Sequence, residues 1–320
     1  MPTILITGGT GLVGSALTKA LLQKGHRVII LTRNNSSSKK LPAQGICYAN
    51  WNVEKQEIDV SALQQADHIV HLAGAGVVEK SWTDKYKKEI LASRTESSRL
   101  IIDALKNNNN SVKSVISASA IGWYGPDKEP VVPFSESHPA DGHFLGETCR
   151  LWEESIEPVV ALGKRLVKLR TGIVLSNEGG ALSEFKKPIR FGIAAILADG
   201  KQIVSWIHID DLCRLFMYAI ENEDLQGSYN AVAPQPVSNK TLTLTLAKIM
   251  RGKFFIPFHV PAFVLQIMLG QRSIEVLKSA TVSCKKILDT GFAFRHNDIE
   301  TALKDLAENN HQVFRSALRK

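Results

Sequence analysis

The sequence contains few cysteines, and none of them are closely spaced. Among 320 residues there are four cysteines, and no C-x-x-C pair occurs. They are Cys47, Cys149, Cys213 and Cys284. In a chain of this length such spacing argues against a disulfide scaffold or a cysteine-rich zinc site, and it is typical of free thiols in a reducing compartment.

The sequence also lacks a leader segment and a long uninterrupted apolar run. Met1 leads directly into a predicted strand, without the basic and apolar regions of a signal peptide. The most apolar late stretch, residues 254–269, is interrupted by two prolines, a histidine and a glutamine. It is too short and too broken to span a membrane, and we expect it to be buried or to form a lid. These features predict a cytoplasmic protein without a membrane partner.

A dense block of basic residues is absent as well. Lys and Arg total 39 against 31 Asp and Glu, a net charge of +8, but the basic residues are spread along the chain. Because basic clusters interleaved with aromatic residues are missing, we expect no nucleic-acid partner. The positive balance suits an anionic cofactor instead.

The strongest pattern that is present lies at the N-terminus, where residues 3–14 read TILITGGTGLVG. A short apolar strand leads into a glycine-rich turn, and leucines at helical spacing follow. The glycines fit G-x-G-x-x-G from Gly9 and the overlapping G-x-x-G-x-x-G from Gly8. Such a turn brings backbone N–H groups and a helix N-terminus to a pyrophosphate, which predicts a dinucleotide site. The predicted contacts are Thr7, Gly8, Gly9, Thr10, Gly11, Leu12, Val13 and Gly14.

The end of the second predicted strand indicates which dinucleotide is bound. This strand, residues 27–31, ends at Thr32, Arg33 and Asn34, where an NAD-specific protein would have an acid for the ribose hydroxyl. Arg33 can instead hold a 2′-phosphate, and Lys39 and Lys40 add positive charge in the next loop. A solvated arginine at a strand end is the alternative. The pattern favours NADP(H).

Strand and helix patterns alternate through the first half of the chain and become less regular after Gly172. Alternation of this kind predicts the α/β class, with a doubly wound parallel sheet covered by helices on both faces. We therefore expect a nucleotide-binding domain over residues 1–172, whose sheet can also receive strands from residues 204–232. Residues 173–320 are expected to form mainly a smaller α+β lobe on the substrate side.

Several further motifs resemble the extended short-chain dehydrogenase/reductase family. They are the glycine turn, His71-Leu72-Ala73-Gly74, Ser117-Ala118-Ser119 leading to Tyr124-Gly125, Leu169-Arg170-Thr171-Gly172, and Ile207-His208-Ile209-Asp210-Asp211. More narrowly, the chain resembles an atypical epimerase subfamily, sometimes labelled cell-division-inhibitor-like. The subfamily marks are Ser93-Arg94, Gly122-Trp123-Tyr124-Gly125, Trp152-Glu153, Ser205-Trp206-Ile207-His208 and Thr290-Gly291-Phe292-Ala293-Phe294.

This resemblance covers nearly the whole chain and implies a Rossmann domain with NADP(H) and a small C-terminal substrate lobe. It implies an oxidoreductase or epimerase that acts on a small polar, sugar-like substrate. In that family, the helices near residues 85–105 and 144–156 commonly form a dimer interface, so a homodimer is an expectation. The alternative function is a non-catalytic protein that senses NADPH.

The sequence departs from the family at its catalytic pair, a Tyr followed four residues later by a Lys. When the helix is aligned by Glu153, Leu145 and Cys149 take those two positions, and neither can act as the acid or base. Ser119 matches the family's catalytic Ser/Thr position, and Tyr124 offers another phenol. A hydroxyl that satisfies local backbone and a packed tyrosine are the respective alternatives.

Three further polar residues lie where the helix that normally carries the tyrosine begins. Asp141, His143 and Glu147 could supply a replacement base, but helix capping and first-turn charge explain them better.

The remaining predicted cofactor contacts lie after other strands. Leu72, Ala73 and Gly74 follow the fourth strand, where small residues let backbone approach the ribose. The resemblance points to Glu89 and Arg94 on the following helix, with surface salt bridges as the alternative, and to Val174 on the nicotinamide side. No metal site is predicted: His68 and His71 are assigned to opposite faces of a strand, whereas His208 and Asp210 are assigned to one face. An acid that begins the next helix is the preferred explanation for Asp210.

Overall fold

A computed structural model describes residues 1–33 and 45–317, with side chains described up to residue 308. Asn34, Lys39 and Lys40 lie outside the described residues. The chain forms two compact units, each assembled from separate segments. Unit 1 comprises residues 1–123, 139–170 and 212–229, and unit 2 comprises residues 124–138, 171–211 and 230–320. A single domain boundary was expected at residue 172. The chain does pass from unit 1 to unit 2 between residues 170 and 171, but each unit is made of three separate segments.

The first part of the chain alternates strands and helices. These elements are β1 (Thr3–Thr7), α1 (Leu12–Gln23), β2 (Arg27–Thr32), β3 (Ile46–Asn52), β4 (Glu57–Ile58), α2 (Val60–Gln64), β5 (His68–His71), α3 (Asp84–Asn107), β6 (Ser114–Ala120), α4 (Phe144–Ile156) and β7 (Arg165–Thr171).

The later elements are shorter. They are β8 (Ile173–Leu175), α5 (Ala181–Arg190), β9 (Ile193–Leu197), β10 (Ile203–Val204), β11 (Trp206–His208), α6 (Ile209–Glu221), β12 (Gly227–Ala231), β13 (Val237–Ser238), α7 (Asn239–Arg251), β14 (Ile256–Val260), α8 (Ala262–Leu269), α9 (Ser273–Leu277), α10 (Lys285–Leu288) and α11 (Ile299–Ala317).

The largest sheet among the described residues has eight strands in the order β12-β7-β6-β5-β1-β2-β3-β4. Strand β1 pairs in parallel with β2 and β5, and the pairs β2–β3 and β5–β6 are also parallel. The carboxyl ends of these strands therefore share one edge, where the predicted cofactor residues follow. The expected α/β class, with a parallel sheet of the Rossmann type, is confirmed.

Alternation along β1 explains why both faces of the sheet are covered. Leu5 belongs to a core cluster with Leu63 of α2 and Leu100 of α3. Its neighbours Ile4 and Ile6 point to the opposite face and are also fully buried. A strand buried on both faces reads as a continuous apolar run, which is what residues 4–6 show.

Unit 2 has its own core and three two-stranded sheets, β10–β13, β11–β8 and β14–β9. Trp206 of β11 packs in one cluster with Leu242 of α7 and Leu303 of α11. Helix α7 begins after its capping residue Ser238, whose hydroxyl accepts a hydrogen bond from the Thr241 N–H at 3.1 Å. Of the helices in the described part of the chain, none is both long and apolar enough to cross a membrane.

Candidate functional site

The glycine turn after β1 packs so tightly that two of its positions require glycine. Gly8 has φ +68°, and a Cβ there would lie 2.9 Å from the Leu72 carbonyl. A Cβ on Gly14 would lie 2.3 Å from the Gly8 oxygen, so α1 packs directly on the turn. Gly11 is exposed, and a Cβ there would make one tight contact, 3.3 Å from the Gly8 oxygen, with no other atom of the described, non-adjacent residues within 4 Å. The three glycines of the G-x-x-G-x-x-G spacing therefore have different roles. Gly8 turns the chain, Gly11 faces the accessible side, and Gly14 lets α1 pack on the turn.

The start of α1 has the features of an anion site. Its capping residue, Gly11, has no side chain that could occupy the first N–H groups, and the first turn contains no acid. Thr10 and Gly11 are exposed, whereas Gly9 is buried against Ile30. The positive end of the helix dipole therefore faces an accessible surface, which suits a pyrophosphate.

Arg33 and Thr32 lie at the same edge of the sheet as this turn. Strand β2 pairs with β1 in register, with Leu31 opposite Thr7, so both strands end together. Thr32 is half-buried and Arg33 is exposed directly after it. The arrangement leaves the Arg33 guanidinium accessible to a phosphate at the carboxyl end of β2.

A buried network organises the segment after β5. The Thr7 hydroxyl accepts hydrogen bonds from the N–H groups of Leu72 and Ala73, both at 3.1 Å, and lies 2.8 Å from Nδ1 of His71. Since the hydroxyl has a single proton and accepts from two amides, that proton is assigned to His71 Nδ1, which leaves the imidazole proton on Nε2. Burial lowers the pKa of His71 to about 3, so the ring is neutral.

The other ring nitrogen of His71 joins this strand end to α3. Its Nε2 lies 3.3 Å from the hydroxyls of Ser97 and Ser98, and both hydroxyls donate to the Arg94 carbonyl at 2.9 Å. Leu72 and Ala73 are thus held through Thr7, and His71 joins the same strand end to α3. His71 positions the predicted cofactor edge from within the core.

Arg94 and Glu89 of α3 occupy different environments. The Arg94 guanidinium is buried, donates to the carbonyls of Ala75 (3.1 Å) and Ile90 (2.9 Å), and lies under Gly74, where a Cβ would be 3.0 Å from it. The guanidinium therefore supports the loop that contains Gly74 and Ala75. Burial lowers the pKa of Arg94. Glu89 is exposed and lies 3.7 Å from Lys80, which is the predicted surface-salt-bridge alternative. Cofactor contact by either side chain stays a prediction.

Ser119 lies near the end of β6 and is bound into a buried ionic network. Its hydroxyl donates to Glu153 Oε1 at 2.8 Å. The Glu153 carboxylate also accepts hydrogen bonds from Arg170 Nε at 2.7 Å, from Arg170 Nη2 at 3.1 Å and from the Ser228 hydroxyl at 3.0 Å. The Arg170 guanidinium in turn stacks on Trp123, 3.6 Å from the ring centre. Ser119 therefore cannot donate the same proton to a substrate carbonyl while this contact lasts.

The Glu153–Arg170 pair was not among the predicted site residues. A signal for it exists, because Cys149, Trp152, Glu153 and Ile156 recur at helical spacing and all lie on the buried face of α4. A charged residue within such an apolar stripe requires a buried partner.

Tyr124 belongs to unit 2, where it is fully buried. Its hydroxyl donates to Asn230 Oδ1 at 2.7 Å, and its ring stacks on Phe134 with 5.0 Å between centroids. This geometry favours packing over proton donation to a substrate, although the hydroxyl is internal where a surface position was the expected alternative. Val174 is also in unit 2, on β8 opposite Ile207 of β11.

The polar residues at the start of α4 make local contacts. Asp141 Oδ2 accepts from the His143 N–H at 3.0 Å and lies 2.8 Å from His143 Nδ1. Glu147 pairs with Arg150 one turn later. Glu147 supplies the first-turn charge that the preferred interpretation expected. The expected side-chain cap is not formed, because His143 at the capping position makes no such hydrogen bond and Asp141 bonds to His143 itself.

Comparisons with known proteins agree with this architecture. Residues 4–145 match the model of the NAD dependent epimerase/dehydratase family, and residues 260–306 match a domain of unknown function, DUF1731. An epimerase family protein of Staphylococcus aureus (strain MRSA252) is 37% identical over 96% of this chain and 99% of its own length. The chain belongs to the epimerase family.

Two solved structures of the epimerase family resemble the chain closely. The human epimerase family protein SDR39U1 (isoform2) with NADPH is 28% identical, with a TM-score of 0.83 over 96% of this chain and 99% of that one. A nucleoside-diphosphate sugar epimerase from Corynebacterium glutamicum is 31% identical, with a TM-score of 0.74. The match covers 96% of this chain and 58% of the Corynebacterium chain.

Compared with the Tyr–Lys pair that the resemblance implies, α4 carries apolar groups in this member of the epimerase family. A Cβ on Gly122 would lie 3.3 Å from the Leu145 Cβ and 3.5 Å from the Cys149 sulfur, so both side chains pack on the turn at residues 121–123. Cys149 is buried. These two positions contribute packing to unit 1.

A second polar cluster lies in unit 2. His208, Asp210, His296 and Asp305 each place a ligand-type atom within 4.8 Å of the others. The Asp210 N–H donates to His208 Nδ1 at 3.1 Å, so the neutral ring carries its proton on Nε2, 3.3 Å from Asp305. A protonated nitrogen has no lone pair for a metal, and this hydrogen bonding therefore favours an electrostatic contact with α11. Asp210 lies in the first turn of α6, which agrees with the preferred explanation that this acid belongs to the start of the next helix, whereas the alternative that places it on one strand face with His208 is wrong.

Proposed function

We propose that this protein binds NADP(H) and acts as an oxidoreductase or epimerase on a small polar, sugar-like substrate, without the Tyr–Lys pair. The observation that carries the proposal is the glycine turn, whose tight positions are Gly8 and Gly14 and whose open position is Gly11, beside the exposed Arg33. The NADPH-containing human relative and the relative named as a nucleoside-diphosphate sugar epimerase support it.

The residues of unit 1 fit such a cofactor. The first N–H groups of α1 would hold the pyrophosphate, Arg33 the 2′-phosphate, and the segment Leu72–Gly74 the ribose next to the nicotinamide. When bound, the nicotinamide supplies or accepts a hydride.

Ser119 has a specific role in this proposal. Because its proton is donated to Glu153, its oxygen is an acceptor for a substrate hydroxyl rather than a donor to a carbonyl. Arg170 keeps the Glu153 carboxylate in position through two hydrogen bonds. The network therefore orients the substrate, and the group that transfers the proton is not one of the family's usual pair.

A second candidate function is a non-catalytic NADPH sensor. The observation that favours it is the internal bonding of both predicted hydroxyl groups, Ser119 to Glu153 and Tyr124 to Asn230. With Leu145 and Cys149 on α4, the expected acid–base positions are occupied by packing residues. Both candidate functions require the cofactor site, but only the enzyme would convert a substrate into a product.

The test is a fluorescence titration of the full chain with NADPH and NADH, followed by a turnover assay. We expect Arg33→Ala to weaken NADPH binding by about ten- to a hundredfold and to leave NADH binding unchanged, because hydrogen bonds between ionised groups contribute roughly 1.5–3 kcal/mol. Arg27→Ala is the matched control, since Arg27 is exposed at the opposite end of β2. An Arg33→Ala variant that keeps its preference for NADPH would disprove the phosphate assignment.

Turnover is then followed with nucleoside-diphosphate sugars and NADP⁺, both as gain of NADPH absorbance when a sugar hydroxyl is oxidised to a carbonyl and as chromatographic separation of epimers. Either product supports the enzyme. Tight NADPH binding with neither product across the sugar panel would favour the sensor.

A further inference from the structure

An exposed apolar patch covers β14 and α8 of unit 2. We define the apolar patch as Phe254, Ile256, Phe258, Phe263, Ile267 and Met268, each between 55% and 83% exposed. The sequence had suggested that this stretch is buried or forms a lid, and burial is wrong at these six positions. Apolar residues that cluster at a surface mark a contact with another molecule or with a membrane.

The composition of α8 explains why its outer face is apolar. The helix reads AFVLQIML, so Gln266 is its single polar side chain. Leu265 is buried and anchors the helix, whereas Phe263 and Ile267, four residues apart, lie together on the exposed face. A helix that is apolar on all sides is normally buried, so we expect the exposed face of α8 to contact another molecule.

Strand β14 extends the apolar patch. It pairs in parallel with β9, with Ile256 opposite Ile193, and Ile256 and Phe258 point to the same face because side chains alternate along a strand. Phe254 precedes the strand, and its N–H donates to the Arg251 carbonyl at 3.1 Å.

The chain segment that carries the apolar patch is basic, although the exposed acid Asp199 lies beside the end of β14, next to Ala198, whose N–H donates to the Val260 carbonyl at 2.9 Å. Residues 225–274 contain no Asp or Glu and carry five Lys or Arg residues. Arg251 and Lys253, directly before the patch, are both exposed. The acids on neighbouring helices are paired, Glu184 with Lys187 and Glu275 with Lys278.

These charges disfavour a second copy of the chain as the cover. A two-fold interface would bring two basic surfaces together, which costs free energy. Edge-to-edge pairing through β14 is also disfavoured, because Pro257 has no N–H to donate and Pro261 follows the strand.

We infer that the apolar patch is a peripheral contact with an anionic membrane surface. The Phe, Ile and Met side chains would enter the boundary between headgroups and acyl chains, and Arg251 and Lys253 would meet the lipid phosphates. This inference replaces the expectation that the chain has no membrane partner, and it does not depend on the proposed function.

The test is co-sedimentation of the full chain with vesicles of equimolar phosphatidylcholine and phosphatidylglycerol, compared with phosphatidylcholine alone. We expect binding to the anionic vesicles that weakens as salt rises, since headgroup attraction is screened. Ile267→Glu should lower the partition coefficient by about tenfold or more, and Lys253→Glu by about fivefold for each unit of charge changed.

Val160→Glu is the matched control, because Val160 is an exposed apolar residue of unit 1 at 52% exposure. It should leave vesicle binding unchanged, and thermal melts followed by circular dichroism check that all variants are folded. The inference is overturned if the wild-type chain ignores anionic vesicles, or if Val160→Glu lowers binding as much as Ile267→Glu. Light scattering that shows a dimer dissociated by Ile267→Glu, without vesicle binding, would assign the apolar patch to a second copy instead.

Discussion

His71 shows how a single buried side chain can hold the end of a strand. Its ring lies between the Thr7 hydroxyl at 2.8 Å and two serine hydroxyls at 3.3 Å, with no exposure to solvent. Burial and the nearby Arg94 both disfavour the protonated ring, which lowers the pKa of His71 to about 3 from an ordinary 6.5. Folding therefore selects the neutral imidazole.

This shift predicts how stability depends on pH. The unfolded chain takes up a proton at His71 near its ordinary pKa, whereas the folded chain does so only near pH 3. The contribution of the neutral ring is thus complete above pH 6.5 and is lost as pH falls towards 3, by roughly 1.4 kcal/mol per pH unit within that window.

Urea unfolding of wild-type chain and His71→Asn over this pH range measures the effect. We expect a less steep fall in the free energy of unfolding for His71→Asn than for the wild type. Equal slopes for wild type and His71→Asn would show that His71 titrates normally in the folded chain.

The glycine turn is the element whose geometry combines packing with ligand approach. Its three key glycines are not equivalent, because a Cβ at Gly14 would meet backbone at 2.3 Å, whereas one at Gly11 would meet the Gly8 oxygen at 3.3 Å. Substitution at each position should therefore affect a different property.

We expect Gly14→Ala to lower the free energy of unfolding by about 2–3 kcal/mol or more, since α1 must move away from the turn. Gly11→Ala should change stability by less than about 0.5 kcal/mol, and should weaken NADPH binding because its methyl group enters the open approach. Gly142→Ala is the control, since a Cβ there meets nothing within 4 Å. Thermal melts and NADPH titrations of the three variants separate the two effects. Loss of stability in Gly11→Ala together with a normal Gly14→Ala would contradict this assignment.

Elements with strong local signals were well predicted. The leucines at helical spacing after the glycine turn predicted a helix, and α1 spans Leu12–Gln23. The strand predicted at residues 27–31 is β2. At α6 the preferred explanation of Asp210 also agrees with the structure, since the helix begins at Ile209 and Asp210 lies in its first turn.

At the scale of the whole molecule, the chain passes repeatedly between two compact units. Residues 212–229 return to unit 1, whereas residues 124–138 belong to unit 2. The predicted cofactor residues lie in unit 1, apart from Val174, and the apolar patch lies in unit 2. The two surfaces can therefore be probed separately in one protein.

Hydrogen exchange with and without NADPH tests this separation. We expect NADPH to slow exchange in peptides that cover residues 8–14 and 72–75 by about tenfold or more, because a ligand stabilises the segments it binds. Peptides that cover residues 256–269 should exchange at the same rate in both states and serve as the internal control. Protection confined to residues 256–269 would place the cofactor elsewhere and contradict the assignment.

The sequence by itself determined the features that depend on neighbouring residues: the glycine turn, the strand and helix alternation, the arginine after β2 and the missing Tyr–Lys pair. Only the tertiary structure decided which hydrogen-bond partner each predicted hydroxyl group has. Ser119 donates to a carboxylate 34 residues away, and Tyr124 donates to an amide 106 residues away. Likewise, the apolar stretch around α8 was expected to be buried or to form a lid, but six of its apolar residues are exposed. Local spacing specifies an element and its faces, whereas the partner of a hydroxyl and the cover of an apolar face depend on which distant segments the fold brings alongside.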